Sequence, residues 1–222
     1  MGWELDDMST PNVTIIDYGV GNLLSVQRGF EYHGASVELT SNPEKILSAQ
    51  RVVLPGVGAF PKAMQALTSQ NLVRVIHELA NKGTPLLAIC LGMQLLLEGS
   101  DEFGQTAGLG LISGRVVAVP NTTIDGTIQK IPNVGWSSLN VSSTRSSWEN
   151  TLLQDNKPGD AAYFVHSFMS QPSDEKNQIA HTSYGGHKIS AVINREKITG
   201  CQFHPEKSGL VGLKILGRFI LQ

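Results

Sequence analysis

Pro85-Leu86-Leu87-Ala88-Ile89-Cys90-Leu91-Gly92-Met93-Gln94 is the stretch on which the fold turns. Pro85–Ile89 is an apolar run of strand length, and the helical pattern that continues through Gln94–Glu98 follows with no loop between. A strand that is apolar at every position is buried on both faces, which is the mark of a parallel sheet covered by helices. Small residues stand two places before the cysteine, at Ala88, and two after it, at Gly92. That spacing suits a tight strand–turn–helix in which bulky neighbours would clash, the thiol version of a nucleophile elbow. The helix that follows aims its N-terminal amides at the sulfur and favours the thiolate. The cysteine also stands at the carboxyl end of a parallel strand, where open α/β sheets place their ligands. A buried, inert cysteine in a core strand is the plainer reading. The choice between them rests on partners elsewhere in the chain.

Working outward, the first half alternates strands and helices. Val13–Asp17 reads as a strand, and Leu23–Tyr32 as a helix closed by Gly34. Ser36–Thr40 is a strand, Asn42-Pro43 opens a short helix through Leu47, and Arg51–Leu54 is a β-branched strand before the turn Pro55-Gly56-Val57-Gly58. Asn71–Asn81 carries Leu72, Val73, Ile76, Leu79 and Ala80 at helical spacing. This rhythm predicts an α/β fold with a doubly wound, mostly parallel sheet flanked by helices. The second half is richer in β-structure. Its strand candidates are Arg115–Val119, Trp136–Val141, Ala162–Val165, Ile189–Asn194 and Ile198–Phe203, and a closing helix spans Leu210–Leu221. The Ser/Thr-rich stretch Ser142–Ser147 reads as a loop, and His181 and His187 fall in a polar loop region. With no internal repeat and no low-complexity linker, one domain over residues 13–222 is the economical expectation, behind a flexible lead-in over residues 1–12.

The 222 residues carry a formal net charge of −2 with the signs interspersed, which argues against a nucleic-acid partner. A chain of this length buries roughly 70% of its unfolded surface, so it needs no metal or disulfide staple. The two cysteines, Cys90 and Cys201, both lie in apolar runs, which points to a reducing compartment rather than a disulfide framework. The longest apolar run, Pro85–Leu97, is too short to span a bilayer, and the acidic start of the chain does not read as a signal peptide. A cytoplasmic protein with no membrane contact is expected, or an organellar one after loss of a transit peptide.

A thiol nucleophile needs a base, and the base needs a third group to fix its tautomer. Phe203-His204-Pro205-Glu206 supplies both: His204 and Glu206 are two apart on one side of an extended segment, and Pro205 keeps His204 extended. A surface His and Glu in a turn after a strand is the alternative. The remaining histidines are weaker candidates: His33 reads as a helix end beside Gly34, and His77 as mid-helix. Acyl transfer also needs amide donors for the developing oxyanion. The loop Gly56-Val57-Gly58 exposes its backbone, its glycines permit a peptide flip, and the N–H of Leu91 is a natural second donor. A phosphate-cradling loop is a rival for this segment, although the Gly-Lys-Ser/Thr ending of a Walker motif is absent.

In order along the chain, Pro55-Gly56-Val57-Gly58, Cys90-Leu91-Gly92-Met93-Gln94 and His204-Pro205-Glu206 resemble class I (triad) glutamine amidotransferases from Val13 to the end. Each piece alone is unspecific; the three together are not. Finer motifs resemble the glutaminase subunits of imidazole glycerol phosphate synthase. These are Asp17-Tyr18-Gly19-Val20-Gly21-Asn22-Leu23, Leu54-Pro55-Gly56-Val57-Gly58-Ala59-Phe60, Ile131-Pro132-Asn133-Val134-Gly135-Trp136, Tyr163-Phe164-Val165-His166-Ser167-Phe168 and Phe203-His204-Pro205-Glu206-Lys207-Ser208-Gly209.

The resemblance implies Cys90 as nucleophile, His204 as acid and base, Glu206 as its orienter, and Gly56, Val57, Gly58 and Leu91 as the oxyanion region. It implies that Gln94, Glu102, His166, Ser167 and Phe168 hold L-glutamine. Asn22, Trp136, Tyr163 and Lys207 match positions that face a separate cyclase subunit in a heterodimer of histidine biosynthesis. No metal or cofactor is implied. The chain departs from the family's usual residues at Ala88 (Gly), Asn133 (His), Ser137 (Asn) and Phe168 (Tyr). Ala88 is compatible with a tight elbow; Asn133 and Ser137 bear on how the partner signals. Glutaminase subunits of the anthranilate, guanylate and pyridoxal-phosphate types are the near rivals. A thiol hydrolase or protease on the same architecture and a degenerate binding module are the distant ones.

Overall fold

The computed structural model describes residues 12–222; the acidic lead-in Met1–Pro11 lies outside the described residues. The first half runs β1 (Asn12–Ile16), α1 (Leu23–Glu31), β2 (Ser36–Thr40), α2 (Pro43–Leu47), β3 (Val52–Gly56), α3 (Phe60–Ser69), α4 (Leu72–Lys82), β4 (Leu86–Cys90) and α5 (Leu91–Leu95). The second half begins with β5 (Gly99–Ser100), β6 (Thr106–Ala107), β7 (Gly114–Ala118), β8 (Asn133–Ser138) and β9 (Asn140–Val141). It continues with β10 (Ala161–His166), β11 (Phe168–Pro172), β12 (Gln178–Tyr184), β13 (His187–Arg195), β14 (Ile198–Cys201) and α6 (Gly209–Ile220).

The main sheet has the order β2-β1-β3-β4-β14-β13-β12-β9. Its first five strands are mutually parallel and the last three join antiparallel, as a doubly wound sheet with an antiparallel edge. Every residue of β3 and β4 is buried. Alternate residues of β4 feed the two faces: Leu86 and Ala88 join one core cluster, Leu87 and Ile89 the other. Helices α3, α4 and α5 cover the first face through Phe60, Leu67, Ile76, Leu79 and Met93. Helices α1 and α6 cover the second, where the rings of Phe30 and Phe219 lie 5.9 Å apart. Asn42 starts α2 as its composition demands, its side-chain oxygen accepting the amides of Glu44 at 2.8 Å and Lys45 at 3.3 Å.

Two smaller sheets sit beside the carboxyl ends of the main strands. One is the antiparallel ribbon β8–β10, which pairs Trp136 with Tyr163 and Asn133 with His166. The other has the order β11-β7-β5-β6.

Several sequence expectations change. The run Trp136–Val141 is two strands, because the chain turns at the buried Leu139: its amide donates to Asp160 and its carbonyl accepts from Gly159. The first half also contains α3, which the Pro-Gly-rich turn before it hides. His181 and His187 lie in the paired strands β12 and β13, not in a loop. Helix α5 stops at Leu95 rather than Glu98. The carbonyls of Leu96 and Leu97 turn out of the helical ladder and accept the amides of Gly110, Leu111 and Ile112.

Candidate active site

Cys90 is the last residue of β4 and the cap of α5, and it holds φ +55°, a left-handed backbone that a non-glycine residue adopts only under local constraint. The constraint is packing against the neighbouring strand. A side chain on Gly92 would begin 2.0 Å from the carbonyl oxygen of Leu54 in β3, so only glycine lets the helix start this close. A side chain on Gly56 would begin 2.9 Å from the Gly92 amide and 2.8 Å from the Tyr18 hydroxyl. That hydroxyl donates to the Pro55 carbonyl at 2.8 Å and anchors the loop that follows. Gly58 sits at φ +97°, where its freedom is used.

Cys90, 7% exposed, lies in a cavity of about 290 Å³. Val57, Gly58, Leu91, Gln94, Glu102, His166, Ser167, Phe168 and His204 line the same cavity, so nearly every residue read from the sequence as catalytic, oxyanion or substrate-holding converges there. Pro132 and Val165 line it too, unforeseen. Gly56 lies beneath as the end of β3, and Glu206 stands behind His204.

Strands β4 and β14 are parallel neighbours, so Cys90 and the segment leading to His204 leave the sheet at the same edge. His204 is buried, and its Nδ1 donates to Glu206 Oε1 at 2.7 Å. Its Nε2 is buried with no hydrogen-bond partner. Burial disfavours the imidazolium, but the closeness of Cys90 and the hydrogen bond and charge of Glu206 outweigh it and raise the His204 pKa to about 9. The turn at Pro205–Lys207 is fixed from behind by α6, where a side chain on Gly212 would begin 1.8 Å from the Pro205 carbonyl.

His166 is different. Burial pushes its pKa down to about 4, so it is neutral at pH 7, with Nδ1 donating to the Phe168 carbonyl at 2.9 Å and Nε2 accepting from Asn133 at 3.1 Å. Gln94 directs its amide nitrogen to the Phe168 carbonyl at 3.0 Å and to Gln202 Oε1 at 3.1 Å. Glu102 accepts the Phe60 amide at 2.7 Å, which ties the cavity wall to the start of α3. Gln202 escaped sequence reasoning; its place in the run Ile198–Phe203 marks it as a polar residue among apolar ones, but only the structure shows that it is fully buried and what it touches. Cys201 is the inert counterpart of Cys90: burial, then Glu206, push its thiol far above the ordinary range.

None of Asn22, Trp136, Tyr163 and Lys207 lines the cavity. Asn22 and Lys207 are exposed, and Trp136, 59% exposed, packs edge-on against Tyr163 with ring centroids 6.0 Å apart. Tyr163 connects this surface to the base, since its carbonyl accepts the His204 amide at 3.0 Å.

Residues 14–222 match the family model for glutamine amidotransferase class-I, and the chain belongs to that family. It also superposes on a solved structure titled PurLQS from Thermotoga maritima with a TM-score of 0.71. That match covers 96% of this chain and 98% of the other, at 17% identity, which bears on the fold alone. Nearer relatives carry one name. Imidazole glycerol phosphate synthase subunit HisH 1 of Legionella pneumophila (strain Lens) is 54% identical over 209 residues, 94% of this chain and 98% of the relative. Subunit HisH of Lactococcus lactis subsp. lactis is 44% identical over 94% and 97%. Within the class, the chain therefore belongs with the HisH subunits, the glutaminase members of imidazole glycerol phosphate synthase. Among the described residues no helix is long and apolar enough to cross a membrane.

Proposed function

We propose that Cys90, His204 and Glu206 hydrolyse L-glutamine through a γ-glutamyl thioester and that the ammonia goes to a separate cyclase subunit. The observation that carries the reading is the buried pair: an imidazole locked by Glu206 at 2.7 Å, its other nitrogen unpartnered, beside a cysteine at a strand tip.

Glutamine enters amide first, and the Cys90 sulfur attacks its side-chain carbonyl carbon. The oxyanion is met by backbone amides of Leu91 and of the Val57–Gly58 loop. The His204 imidazolium passes its proton to the departing nitrogen, which leaves as ammonia, and a thioester remains. Neutral His204 then takes a proton from water as the hydroxide attacks the thioester; the sulfur leaves and glutamate is formed. Glu206 holds Nδ1–H throughout, which keeps Nε2 toward the reaction. At the far end of the cavity, the Gln94 amide nitrogen is committed to Phe168 and Gln202, so its oxygen is the group left for the substrate's ammonium, with the Glu102 carboxylate beside it.

The partner docks on the outer face of the β8–β10 ribbon, around Trp136 and Tyr163, with Asn22 and Lys207 at its margin. Val134 and Trp136 are two apart on one face of β8 and both exposed, an apolar surface of the kind that partners cover. A cytoplasmic setting suits a thiol that must stay reduced. Glutamate release from L-glutamine by the chain alone, then with the cyclase and its nucleotide ligand, tests the reading, with Cys90→Ala as control. Strong stimulation abolished by the control is expected. Activity indifferent to that partner moves the chain to another synthase, and no turnover from folded protein in any mixture overturns the catalytic reading.

A further inference from the structure

Gln202 is fully buried and does not line the cavity, yet its side-chain Nε2 lies 3.9 Å from Cys90 Sγ. The direction of that amide is fixed by a chain of groups. The Phe168 carbonyl can only accept, and it takes Nδ1–H of neutral His166 at 2.9 Å and the Gln94 amide at 3.0 Å. The Gln94 nitrogen therefore donates its other proton to Gln202 Oε1 at 3.1 Å. With its oxygen so occupied, Gln202 has only its NH2 end to present to the sulfur. On another side, the Val165 carbonyl stands 3.8 Å from Sγ, placed to accept a thiol proton and to repel a thiolate.

We propose that Gln202 is a positioning residue for the nucleophile, holding the Cys90 sulfur by a donor that favours its charged form against the Val165 carbonyl, which favours the thiol. The inference rests on the reading of Cys90 as nucleophile. A donor aimed at a charged group stabilises that form and an acceptor the protonated one. The titratable groups around the sulfur are His204, with Glu206 behind it, Tyr18, and His166 and Glu102 in the same cavity wall. Burial keeps Tyr18 protonated and His166 neutral through the neutral range.

The test is site-resolved alkylation of Cys90 by iodoacetamide as a function of pH, on the full chain and on Gln202→Met, which keeps the volume and loses the donor. Iodoacetamide needs no glutamine subsite. The expected result is a roughly tenfold slower reaction at pH 7 in the variant and a profile displaced upward by about one pH unit. Loss of glutaminase activity falls in kcat rather than KM. A merely structural Gln202 leaves the pH profile in place, so an unchanged profile in folded Gln202→Met overturns the inference. If that variant does not fold, the side-chain amide resonance of Gln202 in the wild-type chain is followed against pH. Movement with the same midpoint as alkylation supports the proposal, and an unmoved resonance overturns it. Wild-type Cys90 that resists the reagent at every pH overturns the nucleophile reading itself, a result distinct from either.

Discussion

The carbonyl oxygen of Leu54 occupies the place where a side chain on Gly92 would begin, 2.0 Å away. The obstacle is backbone, so no rotamer relieves it. Gly92→Ala is expected to push α5 off β3 at a cost of about 3 kcal/mol, near the upper end for overpacked cores. The N-terminal amides of α5 move with it, so glutamate release falls more than the fraction folded does. Urea unfolding beside activity measured at full folding separates the two losses.

Glu206 and His204 make stability depend on pH with a definite sign. The imidazole pKa is raised from 6.5 to about 9 in the folded chain. A raised histidine pKa stabilises the fold fully below the unfolded value, and the contribution drains away as pH rises through the folded one. The part of the stability gap between wild type and Glu206→Gln that comes from this pair is therefore largest at pH 6, narrows as pH rises toward 9, and is smallest above. Denaturant unfolding of both proteins at pH 6 and pH 9.5 checks this, and a gap that widens with pH contradicts it.

Trp136 leans on Tyr163 but holds little else. Trp136→Ala is expected to lower folding stability by no more than about 1 kcal/mol, the worth of an aromatic pair. Binding of the cyclase subunit weakens by about 2 kcal/mol, roughly thirtyfold, if this ring anchors the docking face. Titration calorimetry against that subunit reads the second number and thermal unfolding the first.

Val57 is half-exposed at the mouth of the cavity, and its importance lies in its amide rather than its side chain. Val57→Pro removes that N–H. Glutamate release in the assembled synthase is expected to drop about 10²- to 10³-fold, as for loss of one oxyanion donor. Thioester formation slows while partner binding persists. Wild-type release from Val57→Pro removes the loop from the mechanism.

The candidate catalytic residues could be proposed from the sequence because the chemistry assigned to them demands local context. Cys90 needs small neighbours at Ala88 and Gly92, and His204 needs Glu206 close by. The strands around them were legible because β3 and β4 are apolar throughout. Strand β12 was not, and the reason is a bulge: its register with β13 shifts at Ala180, so Ile179 and Ala180 are both buried and the alternation that marks a strand is broken. Helix α3 was hidden differently. Phe60, Ala63, Met64 and Leu67 do keep helical spacing, but the segment starts within a Pro-Gly-rich turn and carries Pro61 in its first turn. The role of Gln202 rests on contacts with Gln94 and Cys90, residues more than a hundred positions away, and no reading along the chain reaches that far.

The side-by-side placement of β4 and β14 has a consequence for nitrogen economy. Cys90 ends β4 and His204 follows three residues after the end of the adjacent strand β14, so their spacing is set largely by the middle of the sheet. A chain built this way cannot be restrained by pulling its reactive pair apart. On the proposed mechanism, restraint falls instead on the segment at Val57 and Gly58, which lines the cavity and offers amides but no reacting atom. On that mechanism, a chain whose loop amides point away from the cavity holds glutamine without consuming it, and nitrogen is released only when a partner is there to receive it.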